Sequence, residues 1–209
     1  MNKLVLLRHG QSQWNLENKF TGWKDVPLTG QGIKEAKKAG FLFKKNNIKF
    51  DKIFSSVLER ANKTAEISIK EAEMDNLIKN NELIYERSQD LNERDYGDLV
   101  GLNKKETADK FGEEQVHIWR RSYDTPPPNG ESLKNVVERV TPYFTKYIEP
   151  LILNNMNILI AAHGNSLRAI MIKVGLYKPE EISSIELPTG IPMCLEYERG
   201  KLIKNYYLD

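Results

Sequence analysis

The chain has 209 residues, 40% hydrophobic and 29% charged, enough apolar material for a core, which excludes a wholly disordered chain. Lys and Arg number 31 against 29 Asp and Glu, a net charge of +2, so the basic excess of a dedicated nucleic-acid binder is missing and no nucleic-acid partner is expected. No apolar run approaches the roughly 20 residues that cross a bilayer, the start does not read as a signal peptide, and Cys194 is alone, which excludes an intrachain disulfide and a cysteine cluster for zinc; a cytoplasmic location without a membrane partner is expected.

Residues 4–7, Leu-Val-Leu-Leu, predict a strand buried on both faces, which runs into Arg8-His9-Gly10. A polar segment punctuated by Gly10, Gly22, Pro27 and Gly30 follows. From Gly32 onward Ile33, Ala36, Gly40 and Phe41 fall at helical spacing. Residues 51–54 predict a second short strand. Ser56-Val57-Leu58-Glu59 reads as a capping box for a helix with Leu58, Ala61 and Ala65 on one side. Residues 77–84 predict a third strand, and 103–122 a charged helix. Thr125-Pro126-Pro127-Pro128-Asn129-Gly130 is a loop. Residues 131–153 are the clearest helix, apolar along one face from Leu133 to Leu151 and bent at Pro142. Residues 158–162 are another buried strand, ending in His163-Gly164-Asn165, with Asn165 as the cap of the next helix. Residues 193–197 and 202–207 flank Arg199-Gly200-Lys201 as a closing hairpin.

This order predicts an α/β fold: a three-layer sandwich in which a mainly parallel sheet, with one antiparallel strand, is flanked by helices. A single domain over 1–209 is expected, with 85–130 as an excursion covering the active site.

His9 and His163 share a context that His117 lacks. Each directly follows a buried strand and precedes a glycine, and ligands of parallel sheets bind beyond the carboxyl ends of strands. A neutral imidazole nitrogen can attack phosphorus, and Arg8 offers a fork of donors to a phosphate. Gly10 lets backbone approach an anion closely. Arg60 sits at the positive end of a helix, where a cation is disfavoured by a few tenths of a kcal/mol; a bound anion would offset that cost. Each feature alone has a plainer reading, as a polar loop residue or a surface arginine. The matched pair of histidines is what favours a phosphoryl-transfer site.

Longer blocks carry a resemblance. Leu6-Leu7-Arg8-His9-Gly10-Gln11-Ser12-Gln13-Trp14-Asn15, then Phe20-Thr21-Gly22-Trp23, Ser55 through Ala61, Leu91-Asn92-Glu93-Arg94-Asp95-Tyr96-Gly97, Gly101-Leu102-Asn103-Lys104, Trp119-Arg120-Arg121, Ala161 through Arg168, and Pro188-Thr189-Gly190 closely resemble the cofactor-dependent phosphoglycerate mutases of the histidine phosphatase superfamily. The matches keep their order through nearly the whole chain.

The resemblance implies an isomerase of glycolysis and gluconeogenesis that interconverts 3- and 2-phosphoglycerate through a phosphohistidine, primed by 2,3-bisphosphoglycerate and without a metal. By position it implies His9 as the phosphorylated residue, Glu93 as proton donor and acceptor, and His163, Arg8 and Arg60 as holding the moving phosphoryl group. Asn15, Thr21, Gly22, Arg94, Tyr96, Lys104, Arg120, Arg121, Gly164 and Asn165 would bind the rest of the phosphoglycerate. Gly10, Gln11, Ser12, Gln13, Trp14 and Asp95 lie in the same blocks and are counted with the substrate-binding set.

Like-charge repulsion from phosphate is expected to raise the Glu93 pKa, and His163 is expected to be protonated. Gln11 stands where many relatives carry glutamate, the 126–130 loop is short, and no long polar tail follows Asp209, so hydrolysis is expected as a side activity. A homodimer is the expected assembly. Two other readings stay open: a phosphomonoester phosphatase of the same superfamily, and a non-catalytic phosphate binder on the same fold.

Overall fold

The computed structural model describes residues 1–209. β1 (Asn2–Arg8) alternates its side chains between two cores. Leu4 and Leu6 enter one, Val5 and Leu7 the other, so the continuous apolar run is the pattern of a central strand covered on both faces. The short α1 (Gln13–Leu16) starts at a Ser12 cap with Asn15 closing the box, and Thr29 caps α2 (Gly30–Lys45). β2 (Lys52–Ser55) precedes α3 (Glu59–Glu71). A hairpin of β3 (Ile78–Lys79) and β4 (Glu82–Leu83) and the brief β5 (Glu86–Arg87) follow.

The chain then leaves the sheet for α4 (Lys104–Phe111) and α5 (Glu113–Arg121). It returns through α6 (Leu133–Tyr143), a π-helical turn at Phe144–Ile148 and α7 (Glu149–Leu153). β6 (Ile158–Ala162), α8 (Gly164–Lys173), the short α9 (Pro179–Ile182), β7 (Met193–Glu198) and β8 (Lys201–Tyr207) complete it.

The main sheet has the order β5-β2-β6-β1-β7-β8. Its first four strands pair in parallel, and β7 runs against both neighbours, the single reversed strand that the closing hairpin predicts. Residues of α2 and α3 fill one core, and residues of α6 through α9 fill the other. The α/β three-layer architecture is therefore as the sequence predicts. No helix is long and apolar enough to cross a membrane.

Register positions the site. Arg8 lies opposite Ala162, and Ala161 opposite both Leu7 and Ser55, so three parallel strands end side by side. The next residues, His9, Ser56 and His163, then emerge at one sheet edge. Gly10 and Gly32 let the loop after β1 lie directly on the start of α2: a Cβ on Gly10 would collide with the Gly32 carbonyl, and one on Gly32 with that of Gln11.

Five local expectations need correction. Ser56 is not the N-cap of α3; that position belongs to Leu58, which makes no side-chain cap. The Ser56 hydroxyl instead accepts from the Leu58 amide and meets His163. Asn165 lies inside α8, whose N-cap is His163. Residues 77–84 fold back as a separate hairpin, because Asn80 and Asn81 both adopt positive φ, 52° and 65°, the signature of a tight primed turn. The 103–122 helix breaks in two at Gly112, whose φ of 89° is outside helical space. The 131–153 helix widens into its π turn just after Pro142, which has no amide hydrogen to close the preceding turn.

Candidate active site

Strand ends, helix starts and the 92–121 stretch enclose a polar cavity of about 590 Å³. His9 and His163 stand together beside it with ring centroids 5.0 Å apart. The His9 amide donates to the Ala162 carbonyl at 3.0 Å, tying the two loops. His9 Nδ1 lies 2.7 Å from the Gly10 carbonyl. A carbonyl only accepts, so Nδ1 carries the proton and Nε2 keeps its lone pair. Arg60 Nε donates to that Nε2 at 3.4 Å.

Arg60 is held in turn by the Lys24 and Gly22 carbonyls, at 3.1 and 2.9 Å. The Thr64 hydroxyl donates to the Arg60 carbonyl and accepts from the Gly10 amide, fixing α3 to the loop after β1. Arg8 Nη1 donates to the Leu187 carbonyl at 2.6 Å, which draws the 186–190 segment over the cavity. Ser56 Oγ sits 2.8 Å from His163 Nε2.

Glu93 lies against the start of α8. Its Oε1 accepts from its own neighbour's amide, Arg94, at 2.8 Å and from the Asn165 amide at 3.0 Å. Gly164 occupies a cradle that a larger residue would crowd: a Cβ there would stand 3.7 Å from Glu93 Oε2, 3.9 Å from Arg8 Nε and 3.2 Å from Arg168 Nη1.

Of the predicted residues, Arg8, His9, Asn15, Thr21, Gly22, Arg60, Glu93, Tyr96, Lys104, Arg120, Arg121, Gly164 and Asn165 line this cavity. His163 backs it through His9. The other predicted contacts do not line the cavity, and each has its own partners. Gly10 packs on Gly32. Gln11 gives its amide to Glu35 and accepts from Thr29 with its side chain. Ser12 caps α1, Gln13 reaches Glu17, and Trp14 carries Lys19 over its ring. Arg94 is fully buried, stacked under Tyr96 and bonded to the Trp119 carbonyl. Asp95 accepts from the Gly97 amide. Lys19, Phe20, Arg168 and residues 186–189 join the wall unpredicted. Phe20, Arg168, Pro188 and Thr189 lie inside the recognised blocks, which is the signal that could have found them.

Charge dominates the cavity. Arg8, Arg60, Lys104, Arg120, Arg121 and Arg168 line it, yet none makes an ion pair within 4.0 Å, the pairs being formed elsewhere. Arg8 Nε and His163 Nδ1 are buried without a hydrogen-bond partner. Burial lowers Arg60 to about 10, and it also lowers Lys104, Arg120 and Arg168. Among the lining cations Arg60 is buried, Arg8, Lys104, Arg121 and Arg168 are half-buried and Arg120 is exposed. A cation withdrawn from water without an anionic partner is costly, and a ligand with several anionic oxygens would offset that cost; a bisphosphorylated small acid fits this donor set.

Without bound phosphate, Glu93 and His163 rest in the opposite charge states to those expected of the occupied site. Burial pushes the Glu93 carboxyl up, but the Arg94 amide, the Arg60 and Arg8 charges and the Asn165 amide together hold it below its ordinary 4.5, so Glu93 is a carboxylate. Burial, followed by Arg60, His9, Arg8 and Arg139, holds His163 well below 6.5, and burial with Arg60 and Arg8 does the same for His9. Both rings are neutral. The like-charge and proton-donating behaviour expected from the sequence needs anion charge that the free protein lacks.

This has a consequence for stability. Below about pH 6.5 the unfolded chain protonates both histidines and the folded chain does not, so stability present above that pH is lost on acidification, by about 1.4 kcal/mol per histidine per pH unit at most. The urea midpoint is expected to fall between about pH 7.5 and about pH 5.5, above the range where carboxylates titrate. A midpoint that holds or rises over that interval would contradict neutral burial of the rings.

Comparison with known proteins agrees with this geometry. The family model described as "Histidine phosphatase superfamily (branch 1)" matches residues 4–207. A protein of Parvibaculum lavamentivorans named 2,3-bisphosphoglycerate-dependent phosphoglycerate mutase is 48% identical over 99% of this chain and 96% of its own. One of the same name from a Bradyrhizobium species is 52% identical over 97% of this chain and 95% of its own. Among solved structures, the alpha-ribazole phosphatase of Shigella flexneri superposes with a TM-score of 0.80 at 22% identity, over 99% of this chain and 96% of its own, a likeness of fold. The chain belongs to branch 1 of the histidine phosphatase superfamily.

Proposed function

We propose that this chain is a phosphoglycerate mutase that interconverts 3- and 2-phosphoglycerate through a phosphohistidine at His9. The observation that carries the reading is the set of unpaired cations around one nucleophilic nitrogen. Arg8 and Arg60 flank His9, while Lys104, Arg120 and Arg121 line the same cavity from the 85–130 excursion. A substrate with one reacting phosphate has further anionic groups to hold, and a general phosphatase has no need of the second set. The names of relatives about half identical to this chain support the same reaction.

Bound 2,3-bisphosphoglycerate would supply the phosphoryl group that primes His9. Nε2 of His9 would offer its lone pair to phosphorus as the P–O bond breaks and phosphoglycerate leaves, its departing oxygen taking a proton through Glu93, and the nearby guanidinium groups of Arg8 and Arg60 would neutralise the equatorial oxygens. His163, with its orphan Nδ1, takes a proton as phosphate charge arrives and adds a donor. In the transfer to phosphoglycerate, the P–N bond breaks with its electron pair returning to Nε2. The substrate hydroxyl bonds to phosphorus, and Glu93 accepts that hydroxyl's proton. Return of a phosphoryl group to Nε2 from the neighbouring carbon position, with Glu93 giving the proton back to the departing oxygen, yields the isomer. The buried thiol of Cys194 accords with a reducing cytoplasm.

Assay of 3-phosphoglycerate with and without added 2,3-bisphosphoglycerate tests this. Isomerisation stimulated by the bisphosphate is expected. Release of inorganic phosphate with no 2-phosphoglycerate formed would move the chain to the phosphatases.

A further inference from the structure

We infer that Arg139, paired with Glu131, is the positioning residue that sets the proton-transferring Glu93 against the phosphoryl path; the inference rests on the role given to Glu93 above. Arg139 stands on α6, which is rooted in the core by Val136 and Val140, and it reaches the segment before and at Glu93 with every nitrogen engaged. Nη1 donates to the Asp90 carbonyl at 2.6 Å and the Asn92 carbonyl at 3.2 Å. Nη2 donates to the Asn92 and Glu93 carbonyls at 3.1 and 2.9 Å. Nε and Nη2 grip the Glu131 carboxylate at 2.8 and 2.9 Å.

Glu131 then holds the other side of the same loop. Its Oε2 accepts from the Asp95 amide at 2.9 Å, and its own amide donates to the Asp95 carbonyl at 2.8 Å. The peptide of Glu93 is thus fixed from both sides. Trp23 Nε1 adds a second donor to the Glu93 carbonyl at 2.6 Å, and the Arg139 guanidinium lies 5.7 Å from the Trp23 ring centre.

The arrangement is more than a local staple. Four backbone groups within residues 90–95, the carbonyls of residues 90, 92 and 93 and the amide of 95, are satisfied by one ion pair anchored on a helix. A guanidinium does this because its donors are planar and fixed; an ammonium cannot reach three carbonyls and a carboxylate together. Neither Arg139 nor Glu131 lines the cavity, so their grip acts on chemistry through the segment at Glu93; the charge of Arg139, which also helps to keep His163 neutral, is retained in Arg139→Lys, and that variant separates the grip from the charge. A proton donor displaced by about 1 Å loses on the order of 10²-fold, and only for leaving groups that need a proton.

That last condition gives the test. Arg139→Met, Arg139→Lys and Glu131→Gln are compared with the parent in two reactions: phosphoglycerate isomerisation, and single-turnover release of p-nitrophenolate from p-nitrophenyl phosphate with enzyme in excess. An alkoxide must be protonated as it leaves, whereas p-nitrophenolate departs unaided. Arg139→Met is expected to lower kcat for isomerisation by about 10- to 100-fold with KM within about threefold, and to leave p-nitrophenolate release within about threefold. Arg139→Lys should lose nearly as much, since charge without the fork does not restore the grip. Equal losses in both reactions, or isomerisation unchanged, would overturn the inference. If Arg139→Met does not fold, Glu131→Gln, which keeps the side-chain volume, carries the same comparison with a smaller selective loss. If the parent hydrolyses phosphoglycerate without isomerising it, the function proposed above falls, and alkyl against aryl phosphate hydrolysis still decides the role of Arg139.

Discussion

His9→Ala is expected to lower isomerisation by about 10⁴-fold or more and to leave the protein unlabelled by radioactive 2,3-bisphosphoglycerate, while the parent takes up an acid-labile, base-stable phosphate. The expectation follows from tautomer and geometry together. The Gly10 carbonyl at 2.7 Å fixes the proton on Nδ1, burial and two arginines keep the ring neutral, and Nε2 is left as an unprotonated nucleophile with Arg60 beside it. His163 does not replace it, because its Nε2 is engaged with Ser56. Removing a nucleophile takes away the covalent route altogether, and the remaining cations bind phosphate without giving it a place to go. The His9 ring is buried among polar groups, so its loss should not unfold the chain, and a urea melt close to the parent's should accompany the blank label. Base-stable phosphate on the His9→Ala protein would place the nucleophile elsewhere.

The reasons that some of this was legible in the sequence, and some not, are physical. Continuous apolar runs such as residues 4–7 and 158–162, short and bounded by polar residues, fit strands covered on both faces. A histidine just past each then had to appear at the same sheet edge once the strands were parallel neighbours, as the Arg8–Ala162 register shows. Periodicity also found α2 and the buried face of α6.

What it could not find were features decided by partners distant in sequence. Ser56 has the spacing of a capping box, but its hydroxyl is used by a histidine 107 residues away. Glu93 and His163 have charge states set by burial first, then by the Arg94 amide at Glu93 and by arginines brought from β1 and α3 to both, and sequence spacing carries no information about burial. The segment 10–14 sits in the most recognisable block of the chain, yet most of it serves the turn and α1, because a recognisable block marks both ligand contacts and the backbone that presents them. Arg139 lies in the 131–153 helix outside its apolar face, and nothing in its spacing points to its partners at residues 90–93.

Glu93→Gln should lower kcat by about 10²- to 10⁴-fold with KM changed only a few-fold, and its pH dependence should separate the free enzyme from the complex. The amide oxygen of glutamine can still accept from the Arg94 and Asn165 amides that now bond Oε1, so the side chain keeps its place and loses only its ability to exchange a proton. In the free enzyme the carboxyl is held below 4.5; kcat/KM, which reports free-enzyme ionisations, should therefore show no loss from Glu93 as pH falls until it passes below that value. Bound phosphates add like charge beside the carboxylate and consume the positive field of Arg60 and Arg8. Both changes raise its pKa in the complex, so the acid limb of kcat should lie at higher pH than that of kcat/KM and should vanish in Glu93→Gln. Coincident acid limbs, or a Glu93→Gln protein within tenfold of the parent, would mean that the proton travels by another group. The depressed resting pKa and the raised working one are then two states of one carboxylate, and arrival of the anion is what converts the first into the second.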